Sequence, residues 1–190
     1  MLDDLRALVN PGESVLYEGR PDKKCFIFES IFNPLLPFAL LWAVIDLSIL
    51  GGVFMSAPNE SEGFGAMLLF IVPFMLLHMM PVWIYLGGVL FSSTKHRNTA
   101  YIITDKCIYI SSGSFTKHIQ TLNFSDVSSI QLHRGPFDQM FNVGDIIVTS
   151  YQRNHNGNRI SANISSISGY LDIYNLVNNI YNNEKNNYKQ

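Results

Sequence analysis

Two stretches of this chain lack the alternation of a water-soluble fold. Residues 32–54 are apolar with one charge, Asp46, and residues 64–91 are apolar with none. Each exceeds the roughly 20 residues a helix needs to cross a bilayer's hydrocarbon core. The pattern therefore predicts a two-helix transmembrane hairpin, closed by a short polar turn at residues 56–63. From Thr99 the period changes to two, the signature of strands. Six are expected, at 100–104, 107–112, 117–122, 127–133, 145–151 and 159–164. Short breaks such as Asp105-Lys106 and Asn156-Gly157 have hairpin length and chemistry. Tyr170, Leu171, Tyr174, Val177, Ile180 and Tyr181 then recur at spacings of three and four, predicting an amphipathic helix to about 183. Ser168 is its candidate N-cap, and 184–190 reads as a disordered tail. The expected class is α+β: the hairpin plus a partly open antiparallel barrel capped by a C-terminal helix.

Charge orients the hairpin. All 13 lysines and arginines flank the apolar runs, and the turn between them holds Glu60 and Glu62 but no base. Basic loops resist translocation, so both termini are expected in the cytoplasm and the turn outside, in a multi-pass protein of the cell membrane. A cleaved signal peptide fits less well, because the segment 1–31 ahead of the first run is long and opens on Asp3-Asp4. Cys25 and Cys107 would then face a reducing compartment. Without CxxC spacing or a His-rich neighbourhood, they read as ordinary buried or interfacial thiols, and no metal site is expected.

Tyr101-Ile-Ile-Thr-Asp-Lys106, Ile108-Tyr-Ile-Ser-Ser-Gly113, Ile130-Gln-Leu132 and Phe141-Asn-Val-Gly-Asp-Ile-Ile147 occur in that order behind the hairpin. Pro11-Gly-Glu13 and Val15-Leu-Tyr-Glu-Gly19 precede it. Together these segments, spanning about residues 10 to 175, resemble the bacterial pleckstrin-homology-like domain of small multi-pass membrane proteins. The resemblance implies a seven-stranded partly open barrel in the cytoplasmic region 95–183, and the segment 14–18 is the candidate seventh strand. Thr104-Asp105-Lys106, Gly113 and Gly144-Asp145 read as fold determinants at strand ends.

Candidate chemistry is sparse. A carboxylate inside a span is costly unless it faces protein or water, which singles out Asp46. It shares a helical face with Ala39 and Ala43, and His78 lies at similar depth in the second run, so the two could pair. The readings are a packing or oligomer contact, a solvated carboxylate near the interface, or a proton or ion pathway. His78-Met79-Met80 has no converging ligands for haem or copper, and Pro73 and Pro81 predict a bend in the second span. Phe137, Met140 and Phe141 form a small apolar face, either closing the barrel core or serving as a wedge for a membrane or partner. Lys95, His96 and Arg97 sit where they can snorkel to anionic headgroups.

Phosphoinositide recognition needs basic residues around the first hairpin loop, and that loop reads as only Asp105-Lys106. No catalytic residue, cofactor or metal is expected. The function expected is a membrane-anchored PH-like scaffold that recruits protein partners at the cytoplasmic membrane. Its partners would be the bilayer, a membrane or cytoplasmic protein and a second copy of the chain, with no nucleic acid. The alternative is a subunit of an oligomeric transport or channel complex that uses Asp46.

Overall fold

The computed structural model describes residues 2–56 and 62–187; residues 57–61 of the expected external turn lie outside them. The order is α1 (Leu2–Arg6), β1 (Val15–Gly19), α2 (Lys23–Ile31), α3 (Leu35–Ser56), α4 (Glu62–His78), α5 (Met80–Arg97), β2 (Ala100–Thr104), β3 (Cys107–Ser112), β4 (His118–Asn123), β5 (Val127–His133), α6 (Pro136–Phe141), β6 (Val143–Arg153), β7 (Arg159–Ser168) and α7 (Tyr170–Asn187). Two units separate: residues up to Glu29 together with those from Ser92 onward, and Ser30–Phe91.

The first unit is a PH-like arrangement of two antiparallel sheets, β1-β2-β3-β4 and β5-β6-β7, with α7 behind them. The seventh strand is β1, which pairs antiparallel with β2 through Tyr17↔Ile103 and Glu18↔Ile102. The Thr104-Asp105 motif ties it there. Asp105 accepts the Ser14 N–H at 2.9 Å, and the Thr104 hydroxyl donates to Glu13 at 2.8 Å while accepting the Cys107 N–H at 2.9 Å. Burial pushes the Glu13 carboxyl up, but hydrogen bonds from Asn10, Thr104, Tyr109 and Cys107 leave it below its ordinary value.

With β1 in place, the first inter-strand connection is the whole segment 20–99, and not the Asp105-Lys106 corner. The apolar helices are thus an insertion between the first two strands of the barrel.

Strand β2 is buried at every position because both its faces are covered. Tyr101 and Ile103 join Ile108, Phe124, Ile146, Val148, Ile164 and Ile167 in the main core. Ala100 and Ile102 face the other way, against Leu5 of α1, Cys107 and Tyr109. That explains why Ala100-Tyr-Ile-Ile-Thr104 is a nearly continuous apolar run, as expected of a strand buried on both faces. Helix α7 lays Ile173 and Val177 onto the main core, with Ile180 and Tyr181 at its margin.

Several boundaries differ from expectation: β6 and β7 run longer, at Val143–Arg153 and Arg159–Ser168, and both ends of α7 shift. Ser168 ends β7, and the cap position falls to Gly169, whose carbonyl accepts the Asp172 N–H at 3.0 Å. Helix α7 also continues through Asn187, so 184–187 of the expected tail are helical and its last residues, 188–190, lie outside the described residues.

In the second unit, α3 begins after the Asn33-Pro34 turn, where the Asn33 side-chain oxygen accepts the Leu35 N–H at 2.8 Å. It alone among the described helices is long and apolar enough to cross a membrane. The second apolar run is not one continuous helix: it breaks at Met79 and bends by 51°, so it qualifies as a span only if both arms count together. Pro81 is the physical cause, since its ring displaces the Leu77 carbonyl and it has no N–H to offer. The carbonyls released at the break find tryptophans. Trp83 Nε1 donates to Leu76 O at 3.1 Å and Trp42 Nε1 to His78 O at 2.7 Å. Pro73, by contrast, is absorbed inside α4.

Candidate functional site

The break that Pro81 creates also shapes the polar centre of the helical unit. At the end of α4, His78 donates from Nδ1 to Asp46 Oδ1 of α3 at 2.7 Å. Trp42, one turn before Asp46, stacks on the imidazole at 5.1 Å between ring centres, and Phe74 flanks it at 5.5 Å. Asp46 is 1% exposed, whereas the His78 side chain is 35% exposed. Asp46 Oδ2 has no hydrogen-bond partner among the described residues. The arrangement can hold a charge pair or pass a proton between the two side chains. The two tryptophans are what sequence reading missed, because their role exists only once the helix is broken.

The apolar face on α6 is divided rather than exposed as one wedge. Phe137 and Phe141 both pack edge-on against Phe28 of α2, at 5.2 and 5.6 Å, while Met140 points outward, 67% exposed.

The interfacial basic group also splits. Lys95 and Arg97 are exposed, and the Lys95 ammonium lies 5.8 Å from the Phe26 ring centre. His96 instead donates Nε2–H to Pro21 O at 2.9 Å and meets Phe26 edge-on.

A polar groove of about 290 Å³ opens at the seam between the two sheets, lined by Lys95, Tyr101, Gln120, Ser161, Asn163 and Ser165 among others. Gln120 bridges the seam by donating to Ser161 O at 3.1 Å, and Tyr101 Oη lies 2.9 Å from Ser165 Oγ. Burial pushes the Tyr101 hydroxyl above its ordinary value, so it stays a neutral donor and acceptor there.

The unexpected cluster joins α2, α6 and β7. Cys25 and Glu29 are one helical turn apart on α2, and Asp138 comes from α6; their donor atoms lie within 4.8 Å of one another. Burial, followed by the charge of Glu29, pushes the Cys25 thiol up to about 12. Burial, followed by the charges of Asp138 and Asp145, pushes Glu29 up to about 6, with His133 acting against them. The folded state thus holds the Glu29 proton more tightly than the unfolded chain. That contribution is complete below the ordinary value of 4.5 and is lost as pH rises through about 6. In the presence of a chelator, Glu29→Gln is therefore expected to stabilise the protein by about 1 kcal/mol near pH 8, after discounting for its half-exposed position. The gain should vanish near about pH 4. Thermal unfolding of both proteins across that range checks it; a gain that grows at low pH would contradict the sign.

No curated protein and no solved structure matches the chain. The family of the Bacterial PH domain does, over residues 37–179, a stretch that takes in the apolar helices, six of the seven strands and half of α7. PH-like domains are in general binding modules without catalytic activity. With two antiparallel sheets, a C-terminal helix and a match across most of its length, this chain belongs to the bacterial PH domain family.

Proposed function

We propose that the chain is a membrane-tethered binding module of the cytoplasmic membrane, whose PH-like domain recruits or organises protein partners on the inner face. One observation carries the reading. Helix α3, inserted in the chain between β1 and β2, is apolar but for Asp46, Ser48 and its terminal Ser56, and Leu40, Leu41, Val44 and Leu47 are each more than half exposed. A helix of that kind is stable when lipid covers it. The bent α4–α5 pair would return the chain as the second arm of a hairpin, and the distribution of lysine and arginine supports an orientation with both termini in the cytoplasm.

Partner binding is supported by the seam groove, whose wall of side-chain amides and hydroxyls suits an extended peptide better than a phosphate. Tethering would raise the effective concentration of the domain towards membrane proteins.

The test is a photo-reactive amino acid at Gln120 or Asn163, activated in native membranes. A discrete protein adduct in the membrane pellet is expected; adducts with lipid alone, or a chain released by alkaline carbonate, would overturn the reading. The Asp46–His78 pair, with its unpartnered oxygen, favours a second reading as a subunit of an oligomeric transport or channel complex. Ion flux into liposomes that disappears with Asp46→Asn would select it.

A further inference from the structure

We propose that Cys25, Glu29 and Asp138 bind a divalent transition-metal cation of the zinc class, with the Ser166 hydroxyl as fourth donor. The thiol and two carboxyls supply three convergent ligand atoms from two helices. Asp138 is already half committed: Oδ2 accepts the Gly135 N–H at 2.8 Å, which caps α6 and turns Oδ1 towards Cys25 Sγ, 3.6 Å away.

Ser166 supplies the independent observation. It sits at an irregularity where β7 slips against β6 around Asp145, with φ of 51°. Its N–H is held by Asp145 Oδ1 at 2.7 Å and its carbonyl accepts the Asp22 N–H at 2.6 Å. Those two bonds pin the backbone and turn the side chain inward, 0% exposed. The hydroxyl is turned towards the Cys25 thiol and the Glu29 carboxyl and acts to lower both, and its oxygen completes no hydrogen bond of full geometry among the described residues. A buried hydroxyl left in this state is costly unless it ligates something.

The surrounding charge agrees. Arg134 approaches, but its guanidinium is spent on Val143 O, Asp138 O and the Tyr170 ring. Among the described residues the cluster concentrates acidic groups with no lysine or arginine ion-paired to them, and His133 alone opposes their charge at Glu29, a deficit that a dication would remedy.

The donor set selects the metal. Binding would displace the Cys25 proton to solvent, and the resulting thiolate with carboxylate and hydroxyl oxygens is too soft for magnesium or calcium and too hard for copper(I), whereas zinc accepts sulfur and oxygen together. Donors around tetrahedral zinc lie roughly 3.3–3.8 Å apart. Rotation of the half-buried Glu29 side chain closes the difference. Four protein donors leave no open position, so the site would be structural, clamping α2 and α6 onto the β7 irregularity.

The test uses the full chain in detergent micelles, stripped with chelator and titrated with Zn²⁺ alone or Co²⁺ alone. One Zn²⁺ per chain and a raised Tm are expected. Cobalt should give a thiolate-to-metal charge-transfer band that survives Cys107→Ser and disappears in Cys25→Ser. Glu29→Gln should weaken Zn²⁺ binding about a hundredfold and Ser166→Ala about tenfold. The unfolding transition of chelator-stripped Glu29→Gln, compared with the parent's, separates lost binding from misfolding. No Zn²⁺ uptake, a cobalt band that follows Cys107, or affinity unchanged in Glu29→Gln would each overturn the proposal.

Discussion

Gly113→Ala is expected to destabilise the PH-like domain by on the order of 3 kcal/mol, the largest backbone effect of any single substitution in the sheets. Gly113 closes β3 with φ of +128°, a region that side chains avoid. A Cβ built there would lie 1.9 Å from the Thr116 carbonyl oxygen, a backbone atom that cannot rotate away. The whole β3–β4 turn would have to move, and with it the Asn98 side chain that donates to Ser114 O at 3.0 Å. Gly157 provides the control. Its φ is +78°, but a Cβ there meets nothing within 4 Å, so Gly157→Asn should change stability by under about 1 kcal/mol. Denaturant unfolding of the two variants in micelles, compared with the parent, reads the difference. Equal effects at both positions would mean that conformation alone matters and that the clash is relieved cheaply.

The second large effect is expected in the helical unit. His78→Ala should cost about 3–5 kcal/mol, because it strands a buried carboxylate whose other oxygen already has no partner among the described residues. Replacing both residues, with Asp46→Leu and His78→Phe, should restore most of that loss, since Trp42 and Phe74 can stack on phenylalanine as they do on the imidazole. The double-mutant cycle should therefore return a coupling of at least about 2 kcal/mol. A coupling near zero would show that solvent or lipid headgroups satisfy Asp46 independently of His78. Size measurement of the same proteins separates an internal pair from an oligomer contact. An unchanged mass with reduced stability is the expected result for the pair.

Strand positions from residue 100 onward could be read from sequence because alternation, hairpin-length breaks and Asn156-Gly157 act locally. β1 could be read only as a candidate, since five residues of mixed polarity carry little pattern by themselves; Asp105 and Thr104 recruit it from 91 positions away. Lys95, His96 and Arg97 were legible as a basic flank. That His96 would turn to the Pro21 carbonyl depended on how β1 and α2 return to the barrel.

The pairing of Asp46 with His78 could be suggested by counting helical rise, because both runs had to be helices of known pitch. The break at Met79 could be foreseen only as a bend at proline. Its capping by Trp42 and Trp83 required the partner helix in place. The Cys25 cluster shows the limit most clearly. Cys25 and Glu29 are visibly one turn apart, yet Asp138 and Ser166 join them across 113 and 141 positions, with no spacing rule to announce them.

The amino-acid order alone thus settled what each segment would do with its own neighbours: which runs are too apolar for water, where period two replaces period three-and-a-half, and on which side of the spans the bases lie. Those properties follow from short-range sterics and solvation, which need no partner. Tertiary structure decided which distant groups share a desolvated volume: β1 against β2, Phe28 against α6, and a thiol, two carboxyls and an unsatisfied hydroxyl around one point. Such encounters depend on how the chain closes its long loops, information that a local pattern does not contain.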